Sequence, residues 1–346
     1  MQKIAYLAMD VHARSCTLGH MDDSGTFKGN LHFTTSEKNI IDALKSVKAQ
    51  NKLLTIEEGT LTHWAAQVAS PHVSQVIACD PRENALIFKS PNKKDKVDTR
   101  SLCRLLRLGE LKHVYHPQDD DRAIFKAAVQ HYLDLRDQLT RLKHKIKATY
   151  RRWGIIGVFS NSVYSTSGRD KYLKQLKHRP IRNQLKRLYH LMDQTEALRM
   201  SALHSIKQLG LKYPEIREFK KIPGIADINA HVFDAFIQTP HRFAKRNQLW
   251  KYCRLSITDR SSDGKQLGYK RLDTSGVGEL KALSFRAFMA AMRGDNEVKR
   301  FYLDSLNRTH DHKHARLNTQ RKILTVMFGI WKKGEIYRPE LFSGSA

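Results

Sequence analysis

Apolar positions in the first third of the chain come in short runs that stop at turn or acidic residues. Lys3–Asp10 reads as a strand closing on an acid. Cys16–Met21 and Leu31–Thr34 read as two more strands, joined through the turn composition Asp22-Asp23-Ser24-Gly25. Ser36 is placed to cap a helix whose apolar residues are Ile40, Ile41, Leu44 and Val47. The pattern then predicts a strand over Leu53–Glu57, a helix over Leu61–Ala69, a strand over Val73–Cys79 and a helix through Ala85–Phe88. A last helix starts near Asp95 and carries Leu102, Leu105 and Leu106. Three meandering strands followed by βαβ-type units is the order of an RNase H-like α/β domain, assigned here to residues 1–117.

The periodicity changes in residues 118–215. Phe125, Ala128, Tyr132, Leu135, Leu139, Leu142 and Ile146 recur at spacings of three and four, a heptad seam on one long helix. A looser seam runs through Ile181, Leu185, Leu188 and Met192. Between them the Gly- and Ser-rich stretch Trp153–Arg169 predicts a loop. The expectation is a helical coiled-coil arm, folded back on itself or paired with another subunit. Residues 216–346 predict a third, mostly α unit. It opens on Lys220-Lys221-Ile222-Pro223-Gly224-Ile225-Ala226, with Ala230 at helical spacing.

Charge narrows the function. Lys and Arg number 61 against 34 Asp and Glu, a formal net charge of +27. An excess of that size draws a protein to polyanions, of which nucleic acid is the commonest. Residues 141–200 concentrate it, with fifteen Lys and Arg against three acids. Arg151 and Arg152 stand in that surplus as candidate nucleic-acid contacts; the plainer account is a solvated helix face. The four cysteines, Cys16, Cys79, Cys103 and Cys253, form no CxxC pair, which argues against structural zinc and a disulfide framework. The N-terminal segment is too short and polar for a signal peptide, and no apolar run reaches spanning length. The expectation is a protein of the reducing cytosol or nucleoid, with no membrane partner.

Four carboxylates carry the candidate chemistry. Asp10 ends the first strand and Glu57 the fourth, with Glu58 as the alternative to Glu57. Asp95 and Asp98, three residues apart, share a helix face. Carboxylates converging at one sheet end repel unless a cation sits among them, and an all-oxygen donor set suits Mg²⁺ or Mn²⁺. Such ions can activate a nucleophile and stabilise a leaving oxygen in phosphodiester chemistry. Taken singly, a strand-end Asp is usually a turn residue, and the Asp95–Asp98 pair, set among lysines, could serve surface salt bridges.

The segments AMDVH around Asp10, IEEGTLTHW from Ile56 and ACDPRENALIFKSPNKKDKVDTRSL from Ala78 resemble DEDD transposases of insertion-sequence family one-ten, which include the Piv and MooV-like recombinases. KKIPGIADINAHVF from Lys220 and DRSSDGKQLGYKRLDTSGVGELKALSFRAFMAA from Asp259 extend the likeness over nearly the whole chain. The resemblance implies a RuvC-like catalytic domain, a coiled coil and a C-terminal transposase domain. It implies recombination of donor and target DNA under an element-encoded guide RNA. It also implies a serine that attacks DNA and becomes covalently linked to it. The matching segment is Ser261-Ser262-Asp263-Gly264-Lys265, where Asp263 departs from the family's usual glycine. Ser262 is the best position, Ser261 the runner-up, and Lys265 a candidate nucleic-acid contact; the composition is equally that of a polar turn.

A serine hydroxyl needs activation at neutral pH. On the role that the resemblance implies, metal ions held by the carboxylates could supply it, which requires the C-terminal loop to dock on the RuvC-like domain of the same or another subunit. Gly224 lies in a helix-hairpin-helix-like turn whose backbone N–H groups could hold a phosphate, or which simply connects two helices. The working expectation is an RNA-guided recombinase acting as a homo-oligomer, dimers pairing into a tetramer. Its rivals are a metal-dependent RuvC-like nuclease or junction resolvase using water, and a non-catalytic nucleic-acid-binding protein on a relict fold.

Overall fold

The computed structural model describes residues 3–80, 95–117, 120–258, 261–262, 265–266 and 271–343; of residues 95–98, 261, 262, 265 and 266 it describes the backbone alone. The expected helix through Ala85–Phe88 lies outside the described residues. The chain divides into two compact units, Met1–Gln118 and Asp119–Ala346.

The first unit is built on a five-stranded mixed sheet in the order β3-β2-β1-β4-β5, consistent with an RNase H-like fold. Strands β1 (Ile4–Val11), β2 (Ser15–Met21) and β3 (Phe27–Thr34) form an antiparallel meander. Strands β4 (Asn51–Glu57) and β5 (Gln75–Cys79) add on parallel to β1. Helix α1 (Glu37–Ser46) begins where Ser36 accepts a hydrogen bond from the Asn39 amide at 3.2 Å. Helix α2 is Thr62–Ala69 and α3 is Asp95–Leu108.

Period-two alternation sends the side chains of the central strands to two different cores. Ala5, Leu7 and Met9 of β1, with Leu54 and Ile56 of β4, pack with Ile40 and Leu44 of α1 and Ala65 and Ala69 of α2. Each large aliphatic chain buried there contributes about 1.5–3 kcal/mol. On the opposite face, Tyr6 and Ala8 meet Met21, Cys79, Leu102 and Cys103. Close seating of α3 depends on Gly19, where a Cβ would come within 2.8 Å of Thr99 Cβ.

The second unit is mostly helical. Helix α4 (Asp120–Arg152) pairs with α6 (Arg179–Gly210). Lys212 reaches Asp121 at 2.8 Å, the Arg199 guanidinium donates to Tyr132 Oη at 3.1 Å, and Tyr189 Oη donates to Tyr150 Oη at 3.1 Å, so the pair is antiparallel. Both predicted seams are used. Leu139, Ile146, Leu185, Leu188 and Met192 form a core of their own towards the tip. Phe125, Val129, Tyr132 and Ile206 at the base belong instead to the core of the C-terminal helices.

The stretch Trp153–Arg169, expected as a loop, contains a 3₁₀ turn at Asn161–Tyr164 and the start of helix α5 (Thr166–Lys174). The composition misled because the helix is held by context. Ser165 accepts from the Gly168 amide at 3.2 Å, the Arg169 guanidinium grips Asp193 at 2.6 Å, and Leu173 is buried in the arm core.

Beyond the arm come α7 (Glu215–Phe219), α8 (Asp227–Ile237), α9 (Arg246–Tyr252), α10 (Gly278–Ala291), α11 (Glu297–Thr309) and α12 (His312–Lys333). Between α9 and α10 run two short antiparallel pairs: β6 (Ile257–Thr258) with β9 (Arg271–Leu272), and β7 (Ser261–Ser262) with β8 (Lys265–Gln266). Arg122 ties the base of α4 to this unit. Its guanidinium donates to Glu215 at 2.7 Å and to the fully buried Asp234, and stacks 3.7 Å from the Tyr213 ring centroid. No helix among the described residues is long and apolar enough to cross a membrane.

Candidate functional site

Met9 of β1 pairs with Ile56 of β4, so Asp10 and Glu57 are the next residues on two adjacent parallel strands. Parallel neighbours lie about 4.8 Å apart. Met9 and Ile56 point into the core under α1 and α2; alternation therefore sends Asp10 and Glu57 to the face covered by α3. Cys79 reports on this placement, because it is the register partner of Glu57 and is fully buried on that same face. Burial pushes its thiol up to about 11, and the nearby carboxylates of Glu57 and Asp80 push in the same direction. Glu58 lies beyond the strand end, exposed, its amide donating to the Cys79 carbonyl at 2.9 Å. Thr62 Oγ1 donates to the Glu57 carbonyl at 2.8 Å and accepts from the Gly59 amide at 2.7 Å, which shapes the turn behind the acid.

Helix α3 runs alongside β2. Thr99 Oγ1 donates to Asn30 Oδ1 at 2.9 Å, Cys103 lies 3.6 Å from the Gly19 carbonyl, and the Arg107 guanidinium donates to the Asp23 carbonyl at 3.2 Å. The helix thus advances from the level of Gly19 towards the β2–β3 turn. Followed backwards from Thr99, one turn or about 5.4 Å, it heads to the level of Thr17, the register partner of Asp10. The backbone of Asp95 and Asp98 forms the first turn of this helix, at the sheet end that carries Asp10 and Glu57. Among the described residues no group of three or more metal-ligating side chains stands together.

Two neighbours of this edge were not singled out from the sequence. His12 Nε2 lies 3.1 Å from Asp10 Oδ2. Asp80 directly follows β5, so each of three adjacent parallel strands carries an acid at or within one residue of its end: Asp10 just before Val11 closes β1, Glu57 as the last residue of β4, and Asp80 just after β5. The signal for Asp80 was present, since it closes an apolar run as Asp10 does.

The remaining expected residues are spread over the second unit. Ser262 and Lys265 are register partners across the β7–β8 pair, and Ser261 faces Gln266. Arg151 and Arg152 are exposed at the end of α4, the Arg151 guanidinium 6.0 Å from the Phe159 ring centroid. Gly224 has φ +89°, and a Cβ there would come within 2.1 Å of the Ala287 carbonyl oxygen of α10. A left-handed backbone pressed on a helix demands glycine at this position. The other cysteines are buried thiols with no disulfide, and burial pushes Cys103 up to about 12.

Residues 7–152 match the model of the DEDD transposases of the IS110 group, and residues 216–303 match the transposase IS116/IS110/IS902 family. Together the two matches span more than half of the chain. The chain belongs to the IS110 family of transposases. It is accordingly a DNA transposase or recombinase, an enzyme of mobile elements that acts on DNA. The DEDD match covers Asp10, Glu57, Asp95 and Asp98; the second covers Gly224, Ser261, Ser262 and Lys265. No curated protein matches this transposase.

Proposed function

We propose that this transposase cuts and rejoins DNA through a serine-linked intermediate, with Asp10, Glu57, Asp95 and Asp98 as its metal-holding acids. The observation that carries the reading is the side-by-side position of Asp10 and Glu57 on the α3 face, at the sheet end to which the first turn of α3 leads. Hard carboxylate oxygens on neighbouring strand ends fit a divalent cation, Mg²⁺ or Mn²⁺. When bound, that ion would lower the pKa of an attacking hydroxyl and screen the charge of a phosphodiester.

The chain's own residues would do the rest. Ser262, with Ser261 as the alternative, attacks a backbone phosphorus. A new Oγ–P bond forms, one P–O bond of the DNA breaks, the serine proton is lost and the leaving deoxyribose hydroxyl takes up a proton. The phosphodiester energy is kept in the Ser–DNA bond, so rejoining needs no ATP. Lys265, opposite Ser262 in the hairpin, would neutralise phosphate charge. Arg151 and Arg152 would hold nucleic acid along the basic arm, and the turn at Gly224 would contact a phosphate through its backbone.

The wider reading takes three domains, 1–117, 118–215 and 216–346, with the α4–α6 arm as a coiled coil and α7–α8 as a helix-hairpin-helix-like turn. It takes an element-encoded guide RNA as partner to donor and target DNA, in a dimer-to-tetramer assembly within the cytosol. The net charge of +27 supports a polyanion load of this size.

The test uses a nicked substrate that stalls the reaction, followed by digestion and peptide mapping. A DNA-linked peptide at Ser262 is expected. Ser262→Ala should bind DNA normally and yield neither adduct nor recombinant. Linkage at Ser261 would move the role by one residue. Efficient cleavage by the double variant Ser261→Ala, Ser262→Ala with no covalent species would replace serine by water and overturn the mechanism.

A further inference from the structure

Helices α10 and α12 are locked together by a buried hydrogen bond, Gln320 Nε2 donating to Ser284 Oγ at 2.9 Å. Beside it an open groove of roughly 760 Å³ runs between their N-terminal halves. Its floor is apolar, from Ala282 and Leu317, and its rim is cationic, from Lys281, Lys313 and Arg316. Phe285 stands in the wall 41% exposed, with the Arg316 guanidinium 5.6 Å from its ring centroid.

Two features of this groove match the chemistry of one kind of ligand. None of the three cations forms an ion pair among the described residues, although they surround one space. Asp311 caps α12, accepting from the Lys313 amide at 2.6 Å and the His314 amide at 2.9 Å, and the Lys313 and His314 charges act on its carboxylate. An aromatic ring is also left facing water beside an apolar floor. A polyanion answers the first and a flat apolar group the second. An unpaired nucleic-acid strand offers both, whereas a duplex hides its base faces in the stack. The groove also borders Leu272, which pairs with Ile257 at the strand pair from which the segment carrying Ser261 and Ser262 springs. A strand lying there would pass close to the foot of that segment.

We propose that this groove seats an unpaired stretch of DNA, its phosphates against Lys281, Lys313 and Arg316 and one base stacked on Phe285. The proposal rests on the reading that the chain acts on DNA, but not on which group is the nucleophile.

The test is fluorescence anisotropy of the full-length protein with labelled oligo(dT), oligo(U) and a duplex, at several salt concentrations. Phe285→Ala should weaken oligo(dT) binding about 5- to 100-fold with little change in salt slope, the loss of one stacked base. Phe285→Trp should restore it. Lys313→Ala and Arg316→Ala should each weaken oligo(dT) binding and flatten its salt slope by about 0.7. Duplex binding should be indifferent to Phe285. Iododeoxyuridine in the oligonucleotide should photocrosslink to α10 in the wild type and not in Phe285→Ala. Phe285 is exposed, so melting curves should show Phe285→Ala folded as the wild type. Unchanged oligo(dT) affinity in a folded Phe285→Ala would overturn the proposal. A Phe285 dependence confined to oligo(U) would assign the groove to RNA and overturn it equally. Loss of the serine adduct with the groove's binding intact would defeat the proposed mechanism alone.

Discussion

Asp10 and Glu57 follow the register pair Met9 and Ile56 on adjacent parallel strands, and both leave the sheet on the face that α3 covers. Like charges so placed repel each other, and on the proposed reading a divalent cation relieves that repulsion. Asp10→Ala and Glu57→Ala should each abolish recombination. Without added metal their melting temperatures should equal or exceed that of the wild type, since one like charge is gone. Any rise in melting temperature on adding MgCl₂ or MnCl₂ should shrink in both. Asp95→Ala and Asp98→Ala should behave alike. Wild-type recombination by the Asp10 or Asp98 variant would remove these acids from the site.

The basic arm predicts a salt signature. Arg151 and Arg152 are exposed, and their surroundings hold few acids to pair with. Arg151→Glu with Arg152→Glu should weaken duplex binding and lower the slope of log affinity against log salt by about 0.9 for every phosphate no longer neutralised. Affinity and slope both unchanged would leave these residues as a solvated face.

Asp234 predicts a pH effect on stability. It is fully buried, and burial raises its pKa well above the carboxylate range; Arg122 opposes that rise, while Glu215 reinforces it. One guanidinium serving two carboxylates leaves room for a proton on Asp234. The folded chain then holds a proton that the unfolded chain releases above about pH 4. Stability from this group is present below that pH and is lost as pH climbs towards the raised folded value. Asp234→Asn should flatten this part of the stability profile, measured by denaturant unfolding from pH 4 to 8, and should be at least as stable as the wild type at neutral pH. A steeper fall in Asp234→Asn would show the carboxylate to be ionised in the fold.

Gly224→Ala separates the two roles of its turn. The new Cβ would meet the Ala287 carbonyl oxygen at 2.1 Å, on a backbone with φ +89°. Overpacking together with the left-handed strain should cost about 2–4 kcal/mol. A clear drop in melting temperature is expected. Lost nucleic-acid binding at an unchanged melting temperature would instead make phosphate contact the dominant reason for glycine.

The local elements were legible from the chain alone, because period-two and heptad patterns record which residues must leave water. The five strands, the Ser36 cap, the helix from Asp95 and both arm seams appear where those patterns put them. The acids at strand ends were legible for the same reason, since each interrupts an apolar run. That the Asp10 and Glu57 ends become neighbours was expected from the strand order of an RNase H-like domain, not from the pattern itself. Asp10 and Glu57 are far apart in the chain, and only the parallel register of β1 and β4, set by two differently packed sheet faces, makes them adjacent. Helix α5 was missed because Gly and Ser read as a loop until Asp193, from another helix, supplies a partner for Arg169. The groove of Lys281, Phe285 and Arg316 has no signature along the chain at all. Its residues come from two helices joined by one buried hydrogen bond, and charge that looks scattered in one dimension converges only when those helices pack.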